Sequence, residues 1–466
     1  MNSKNKKLNF TFGFLIAVML ISLLAGCGGG NAGEAGGTAS SSESGKPQQS
    51  SGSAPRTLKV AFFKGGYGDA WFLELKKEFE KVHPDVTVEL EGDAAIMDKL
   101  DPRFESSNNL PDVAFLIHSD KWQIWAGKGL LADLSDIYNG DSLDGGKFKD
   151  SMNKEAQKFA EDRDRIYALP WSDGLLGMVY NAGMFEENGW EVPKTWKEFA
   201  QLADKMKAKG IAPIVYPGKI PGGYMDFMVK PMILQAGGFD YLNELLKMES
   251  PEPLNNPAKK QALEQYESLF KNGWVLKGSE AVNHTEAQML FLSGKAAMIP
   301  NGHWLENEMK SSIPSGFRMK MMPVPLVNNA KETNIAFSMV GGDITVIPAK
   351  AKEMDLAKEF VRFAATKQMN KKFTESTGAL RPFKYDMDGV MVSEFTQSVV
   401  DIMQSSTPFT FNSASPMYMK FGGIFPSGEF NGNISTGTKT AEQQFNDDYA
   451  FAKEKWNEYA EELGMK

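Results

Sequence analysis

The sequence predicts an α/β protein of two lobes with a cleft between them. Three observations lead there. Strand and helix patterns alternate from residue 57 to residue 116, at a spacing that builds layers around a mainly parallel sheet. Helical patterns then dominate to about residue 335, and a strand pattern at 343–348 returns the chain to its first architecture. Roughly 400 residues also exceed what one hydrophobic core serves, so two domains are expected.

Residues 57–63 (TLKVAFF) are rich in β-formers and read as the first strand. The glycine-rich turn Gly65-Gly66-Tyr67-Gly68 follows, and Asp69 is placed to cap a helix. Its apolar positions Phe72, Leu75 and Phe79 recur at helical spacing. His83-Pro84 ends that helix, residues 86–90 alternate as a second strand, and a short helix at 96–104 leads to a third strand at 110–116. After Leu169-Pro170, residues 176–180 read as a buried strand. Thr195 opens a helix over 195–208, with Glu198 at the capping-box position. Further helices are predicted at 226–236, 257–271, 284–293, 303–310 and 354–365. The C-terminal third is helical apart from a Gly/Ser/Pro-rich interruption at 405–440, and it closes with an amphipathic helix at 440–463. No internal repeat is visible.

Ahead of this body stands a different kind of sequence. Lys4, Lys6 and Lys7 precede an apolar run, 10–24, that is short for a membrane span. Leu24-Ala25-Gly26-Cys27 resembles the lipobox of bacterial lipoproteins. That resemblance implies removal of residues 1–26, lipidation of Cys27 and a body held at the outer face of the cytoplasmic membrane. An uncleaved anchor ahead of Cys27 is the plainer alternative. Residues 27–56, crowded with glycine and serine, behave as a flexible tether of roughly 30 Å end to end.

Cys27 is the only cysteine, so disulfides are excluded and an ordinary core must hold the fold. Hydrophobic residues at 42% and aromatics at 11% supply one. The formal charge is -8, and loss of a leader with three lysines and no acid leaves -11. Such a balance disfavours nucleic acid and other polyanions and suits a neutral ligand. A monomer without cofactor or metal is expected.

Several segments together carry a family resemblance. They are Tyr167-Ala168-Leu169-Pro170 with Gly177-Met178-Val179-Tyr180-Asn181, then Phe185-Glu186-Glu187-Asn188-Gly189 and the block from Trp190 to Phe199. Phe291-Leu292-Ser293-Gly294-Lys295-Ala296-Ala297-Met298 and Gly341-Gly342-Asp343-Ile344-Thr345-Val346-Ile347-Pro348 follow in order. Over about residues 57–460 the chain resembles the extracellular solute-binding proteins of family 1, the carbohydrate-binding components of bacterial ABC importers. The resemblance implies a two-lobed periplasmic-binding-protein-like fold of type II, its ligand cleft between lobes joined by a multi-segment hinge. It divides the body into 57–170 with about 335–400, and 171–334 with about 401–466. It also implies a receptor that captures a mono- or oligosaccharide and delivers it to an ABC permease. Lys209-Gly210-Ile211-Ala212-Pro213-Ile214, Gly222-Gly223-Tyr224-Met225 and the run from Ile299 to Met309 are similar to the subgroup that takes N-acetylglucosamine or its β-linked disaccharide.

Sugar rings offer flat C–H faces and a rim of hydroxyls, which aromatic platforms and planar polar groups match. Trp171 follows the turn at the expected crossing between lobes and is a candidate platform; closing the hinge core is its other use. Asp173 could accept from hydroxyls or serve a turn. Trp304, entering a helix after Pro300-Asn301-Gly302-His303, is a second platform candidate, with Asn301 beside it. Tyr67 lies in the loop after the first strand, where the family commonly touches sugar. Asp120 occupies a comparable sheet edge, while Trp122 and Trp125 at a spacing of three suit a core stripe. Tyr224 and Asp226 open a helix, where Asp226 could equally cap it. A loop at Phe421-Gly422-Gly423 could line a cleft, and Arg381 suits a salt bridge better than a ligand. The glycine turn at 65–68 lacks the lysine and hydroxyl ending of a phosphate-binding loop.

Two other functions stay open on the residues alone. A secreted glycan hydrolase needs two facing carboxylates, and an acidic chain always supplies candidates, but no catalytic frame such as GxSxG or HExxH is present. A surface glycan adhesin would expose a flat aromatic strip rather than a closing cleft.

Overall fold

The computed structural model describes residues 55–117, 121–161, 165–412, 414–428 and 430–465. Cys27, residues 27–54 of the tether and Asp120 lie outside the described residues, and Arg56, expected at the tether's end, already pairs with Val86 in the first strand. Among the described residues, eleven strands build two sheets: β1 (Arg56–Phe63), β2 (Val86–Asp93), β3 (Val113–Ile117), β4 (Leu169–Pro170), β5 (Leu175–Asn181), β6 (Ala212–Ile214), β7 (Ala296–Gly302), β8 (Met319–Met322), β9 (Ile335–Ser338), β10 (Asp343–Val346) and β11 (Thr407–Phe409).

The first sheet runs β2-β1-β3-β10-β4 and the second β11-β9-β5-β7-β6, with β8 also paired to β5. Each is mixed. In the first, β1 is parallel to β2 and β3, as the alternating pattern predicts, but β10 is antiparallel to both β3 and β4. The reason is the route taken. β10 arrives from the other lobe, so no βαβ crossover fixes its direction. In the second sheet β5 is antiparallel to β7, β8 and β9.

Each sheet organises its own core. Leu58, Val60, Phe72, Leu75, Phe79 and Phe115 belong to the first, and helix Ala70–Val82 lays its expected apolar stripe there. In the second lobe every residue of β5 is buried. Leu176, Met178 and Tyr180 enter one cluster while Leu175 and Val179 enter another on the opposite face. Helix Asp226–Lys247 runs well past the predicted end at 236, breaking at Gly238 (φ 81°) and continuing on buried Tyr241, Leu242 and Leu245. Lys259 and Asp448, both wholly buried, pair at 2.7 Å and tie helix Pro257–Lys271 to the closing helix Ala441–Glu462.

Capping shows where local reading works. Thr195 and Glu198 form the predicted capping box on helix Trp196–Ala208. Asp69 holds the cap position of its helix but makes no side-chain cap bond; its carboxylate pairs with Lys64.

The chain passes between the sheets at residues 171–174, at 339–342 and between Phe383 and Glu394. β9 still belongs to the second sheet, so the return expected near 335 falls at β10. Phe395 and Val399 of helix Glu394–Ser405 also pack on the second lobe, against the division expected at about 400, since the helix covers Met321 of β8.

Candidate functional site

A cavity of about 490 Å³ opens between the two sheets. From the first lobe come Phe63 and Ile117, at the C-terminal ends of β1 and β3, together with Gly66, Tyr67 and Asp343. Loops past the carboxyl ends of strands are where open α/β sheets hold ligands. The second lobe contributes Tyr224, Phe227, Lys230, His284, Trp304, Glu308, Phe337 and Phe411.

Its wall is a run of touching rings. Tyr224 stacks on Phe227 with centroids 4.9 Å apart, and Trp304 stands edge-on to both at 6.0 and 6.1 Å. Phe227 meets Phe337 at 6.3 Å, and Phe337 meets Phe411 at 5.9 Å. Trp304 is seated by glycines. A Cβ on Gly302 would lie 2.1 Å from its ring, and one on Gly66 would lie 3.0 Å from its Cβ. The Gly66 carbonyl also accepts from Asn307 Nδ2 at 2.6 Å, so the loop after β1 reaches the second lobe directly. Tyr224 holds φ 60°, a left-handed conformation that costs a non-glycine residue energy and aims its ring from a tight turn.

Two polar pairings fix side chains on this wall. Lys230 reaches Asp226 at 2.8 Å and lies 5.3 Å over the Phe411 ring. His284 Nε2 lies 2.7 Å from Glu308 Oε2, which also accepts from Gln288 Nε2 at 2.8 Å. Burial pushes the Glu308 carboxyl up, but hydrogen bonds from His284 and Gln288 outweigh it and hold the group below its ordinary value.

Behind the cavity lies a buried polar network at the hinge. The Tyr67 hydroxyl is 3.2 Å from both Ser172 Oγ and His303 Nε2, and Ser172 donates to Asp343 Oδ2 at 2.5 Å. Burial drives the Asp343 carboxyl up to about 6, only partly offset by hydrogen bonds from Ser172 and Tyr67. His303 is pushed down to about 4 by burial. Its ring lies against Gly174, where a Cβ would fall 2.1 Å from Nδ1.

Of the residues singled out by sequence, Tyr67, Tyr224 and Trp304 meet on the cavity wall. Asp226 stands just behind it, holding Lys230, and no side-chain cap bond forms at that helix start. Trp171, Asp173 and Asn301 are not brought to the wall. Trp171, 1% exposed, sits edge-on to Tyr67, Phe72, Phe115 and Phe373 and donates to the Leu116 carbonyl at 3.1 Å. A ring so enclosed has no face to offer a ligand. Asp173 is buried too, accepting from Asn153 at 3.0 Å, Ser338 at 2.8 Å and its neighbour's backbone, and burial raises it to about 6. Asn301 is wholly buried with its Oδ1 on the Gly302 amide.

Trp122 and Trp125 are core residues, Trp125 stacked on Phe104 at 4.1 Å. Phe421 packs on Trp456 rather than at the cavity. Among the described residues Arg381 makes no salt bridge. It is buried, and its guanidinium donates to the carbonyls of Trp171 and Ala364 and to Asn370 Oδ1, which replace a carboxylate partner.

Phe227, Lys230, His284, Glu308, Phe337 and Phe411 went unread in the sequence. Each occupies an ordinary helix or strand position, and only the folding of distant segments brings them to one wall.

The sequence pattern of the family described as bacterial extracellular solute-binding protein matches residues 65–371. The chain belongs to this family. As a solute-binding protein it is 25% identical over 325 residues to the diacetylchitobiose binding protein NgcE of Streptomyces coelicolor, covering 69% of each chain. It is 27% identical over 374 residues to the diacetylchitobiose binding protein DasA of the same organism, covering 78% of this chain and 80% of that one. A solved structure described as a chitin oligosaccharide binding protein superposes with a TM-score of 0.65 at 20% identity, over 85% of this chain and 98% of the other. This solute-binding protein therefore has the two-lobed fold of such receptors, with its cavity between the lobes.

Proposed function

We propose that the protein is the carbohydrate receptor of an ABC importer, capturing a neutral oligosaccharide in the cavity between its lobes. One observation carries the reading. The wall joins the faces of Trp304, Tyr224, Phe227 and Phe411 to polar groups that hold one another in place, Lys230 with Asp226 and His284 with Glu308. Flat apolar faces flanked by fixed polar groups suit a sugar, whose rings offer C–H faces and a rim of hydroxyls. The diacetylchitobiose-binding relatives favour an N-acetylglucosamine-type sugar or chito-oligosaccharide, followed by other neutral oligosaccharides.

Closure of the lobes on the sugar presents the closed receptor to a membrane permease. Lipidation of Cys27 keeps the body at the outer face of the cytoplasmic membrane, and the tether lets a monomeric receptor swing between capture and delivery. The protein binds without chemistry.

A calorimetric screen over N-acetylglucosamine, N,N′-diacetylchitobiose, maltose and raffinose tests this. Saturable binding without product is expected. Turnover at catalytic protein concentrations, or no binding to any sugar, overturns it.

A further inference from the structure

We propose that Glu308 is the residue that orients the bound sugar, one carboxylate oxygen fixed by His284 and Gln288 and the other accepting from ligand hydroxyls. The inference rests on the carbohydrate reading above and adds a specificity determinant to it.

The geometry begins with Trp304. The Glu308 amide donates to the Trp304 carbonyl at 2.9 Å, so the two residues stand one helical turn apart on the same face. An aromatic platform and a carboxylate are thereby presented to the cavity together, and both line it. A second helix, His284–Leu292, supplies the clamp by the same spacing: His284 and Gln288 are four residues apart and both reach Glu308 Oε2. Gln288 is fully buried, and the helix that carries it is fixed at its start by the Asn283–Glu286 capping box.

This arrangement leaves Glu308 Oε1 without a partner among the described residues, on a side chain 30% exposed in the cavity wall. The carboxyl is held below its ordinary value, so at neutral pH it is an acceptor only. An acceptor fixed in place by two donors loses little freedom when a hydroxyl arrives, which makes it selective for where that hydroxyl sits. Where the bound sugar covers this oxygen and displaces its water, an analogue lacking the hydroxyl leaves the carboxylate unpaired, which is what makes such a contact discriminate. His284 and Gln288 act through Glu308 and are positioning residues.

The test uses the full-length protein and the tightest binder among N,N′-diacetylchitobiose, maltose and raffinose, together with its series of mono-deoxy analogues. Glu308→Gln is expected to bind the parent sugar about tenfold or more weakly. One deoxy analogue should show a similar loss against the wild type and no added loss against the variant. Glu308→Asp, which keeps the charge and withdraws the oxygen, should behave alike and serves if Glu308→Gln does not fold. Equal weakening across all analogues would mean that the pair only joins two helices, and unchanged affinity would remove Glu308 from the site. Either result overturns the inference while leaving the carbohydrate reading intact. If none of the sugars binds the wild type, that reading itself falls and this inference with it.

Discussion

The Tyr67 hydroxyl lies 3.2 Å from His303 Nε2, joining the loop after the first strand to the end of β7 across the hinge. Tyr67 also faces the cavity, so one side chain meets both that space and the contact between lobes. Tyr67→Phe keeps the ring and removes this bond and the one to Ser172. Stability should fall by about 1 kcal/mol, and ligand-free protein should show a larger mean radius by small-angle scattering. An unchanged radius would mean that the bond does not restrain the lobes.

Trp304 lines the wall, seated on Gly66 and Gly302. Trp304→Ala should weaken sugar binding about tenfold or more, or about 1.4 kcal/mol, with the circular dichroism spectrum unchanged. Normal affinity in a titration would show that the ring does not stack on ligand.

The hinge carboxyls give stability an unusual dependence on pH. Asp343 and Asp173 both sit at about 6 in the folded chain against an ordinary 3.8, so folded protein binds protons that unfolded chain has released. Their stabilising contribution is full below about pH 3.8 and is lost as the pH rises through 6. His303 works in the opposite sense. Its value of about 4 against 6.5 means that its contribution is present above 6.5 and is lost as the pH falls toward 4. Asp343→Asn removes one carboxyl from this balance. Relative to wild type, the variant should gain up to about 3 kcal/mol between about pH 4 and about pH 7, measured by urea unfolding. A pH-independent difference would contradict the raised value.

Lys259 meets Asp448 where both side chains are fully buried, and Asp448 also accepts from Ser427 and Gln444. Burial lowers the Lys259 ammonium while the Asp448 charge opposes the shift. Lys259→Met leaves that carboxylate uncompensated and should cost about 3–5 kcal/mol in denaturant unfolding, with sugar affinity retained in the folded fraction. A loss under about 1 kcal/mol would show that the pair is dispensable.

Local chemistry was legible wherever neighbours in sequence settle it. The strand at 57–63, the apolar stripe of Phe72, Leu75 and Phe79 and the Thr195 capping box each depend on residues within a turn or a pleat of one another. Trp171 shows the limit. A tryptophan after a turn at a lobe crossing reads equally well as platform or as core, and only the surrounding Phe72, Phe115 and Phe373 decide for the core. Glu308 shows the converse, an unremarked helix residue given meaning by His284, twenty-four positions earlier.

By itself the sequence determined the family, the α/β class, the two-lobed plan and three of the aromatic residues on the cavity wall. Periodicity, capping and family-like segments are written in short stretches of chain, so they survive without coordinates. The antiparallel arrival of β10, the position of the lobe boundaries, the burial of Trp171 and the meeting of His284 with Glu308 were decided by tertiary structure. These depend on which distant segments meet. Direction in a sheet and exposure of a side chain are properties of neighbours in space, and residues 67, 224, 304 and 343 become neighbours only when the chain has crossed between its lobes.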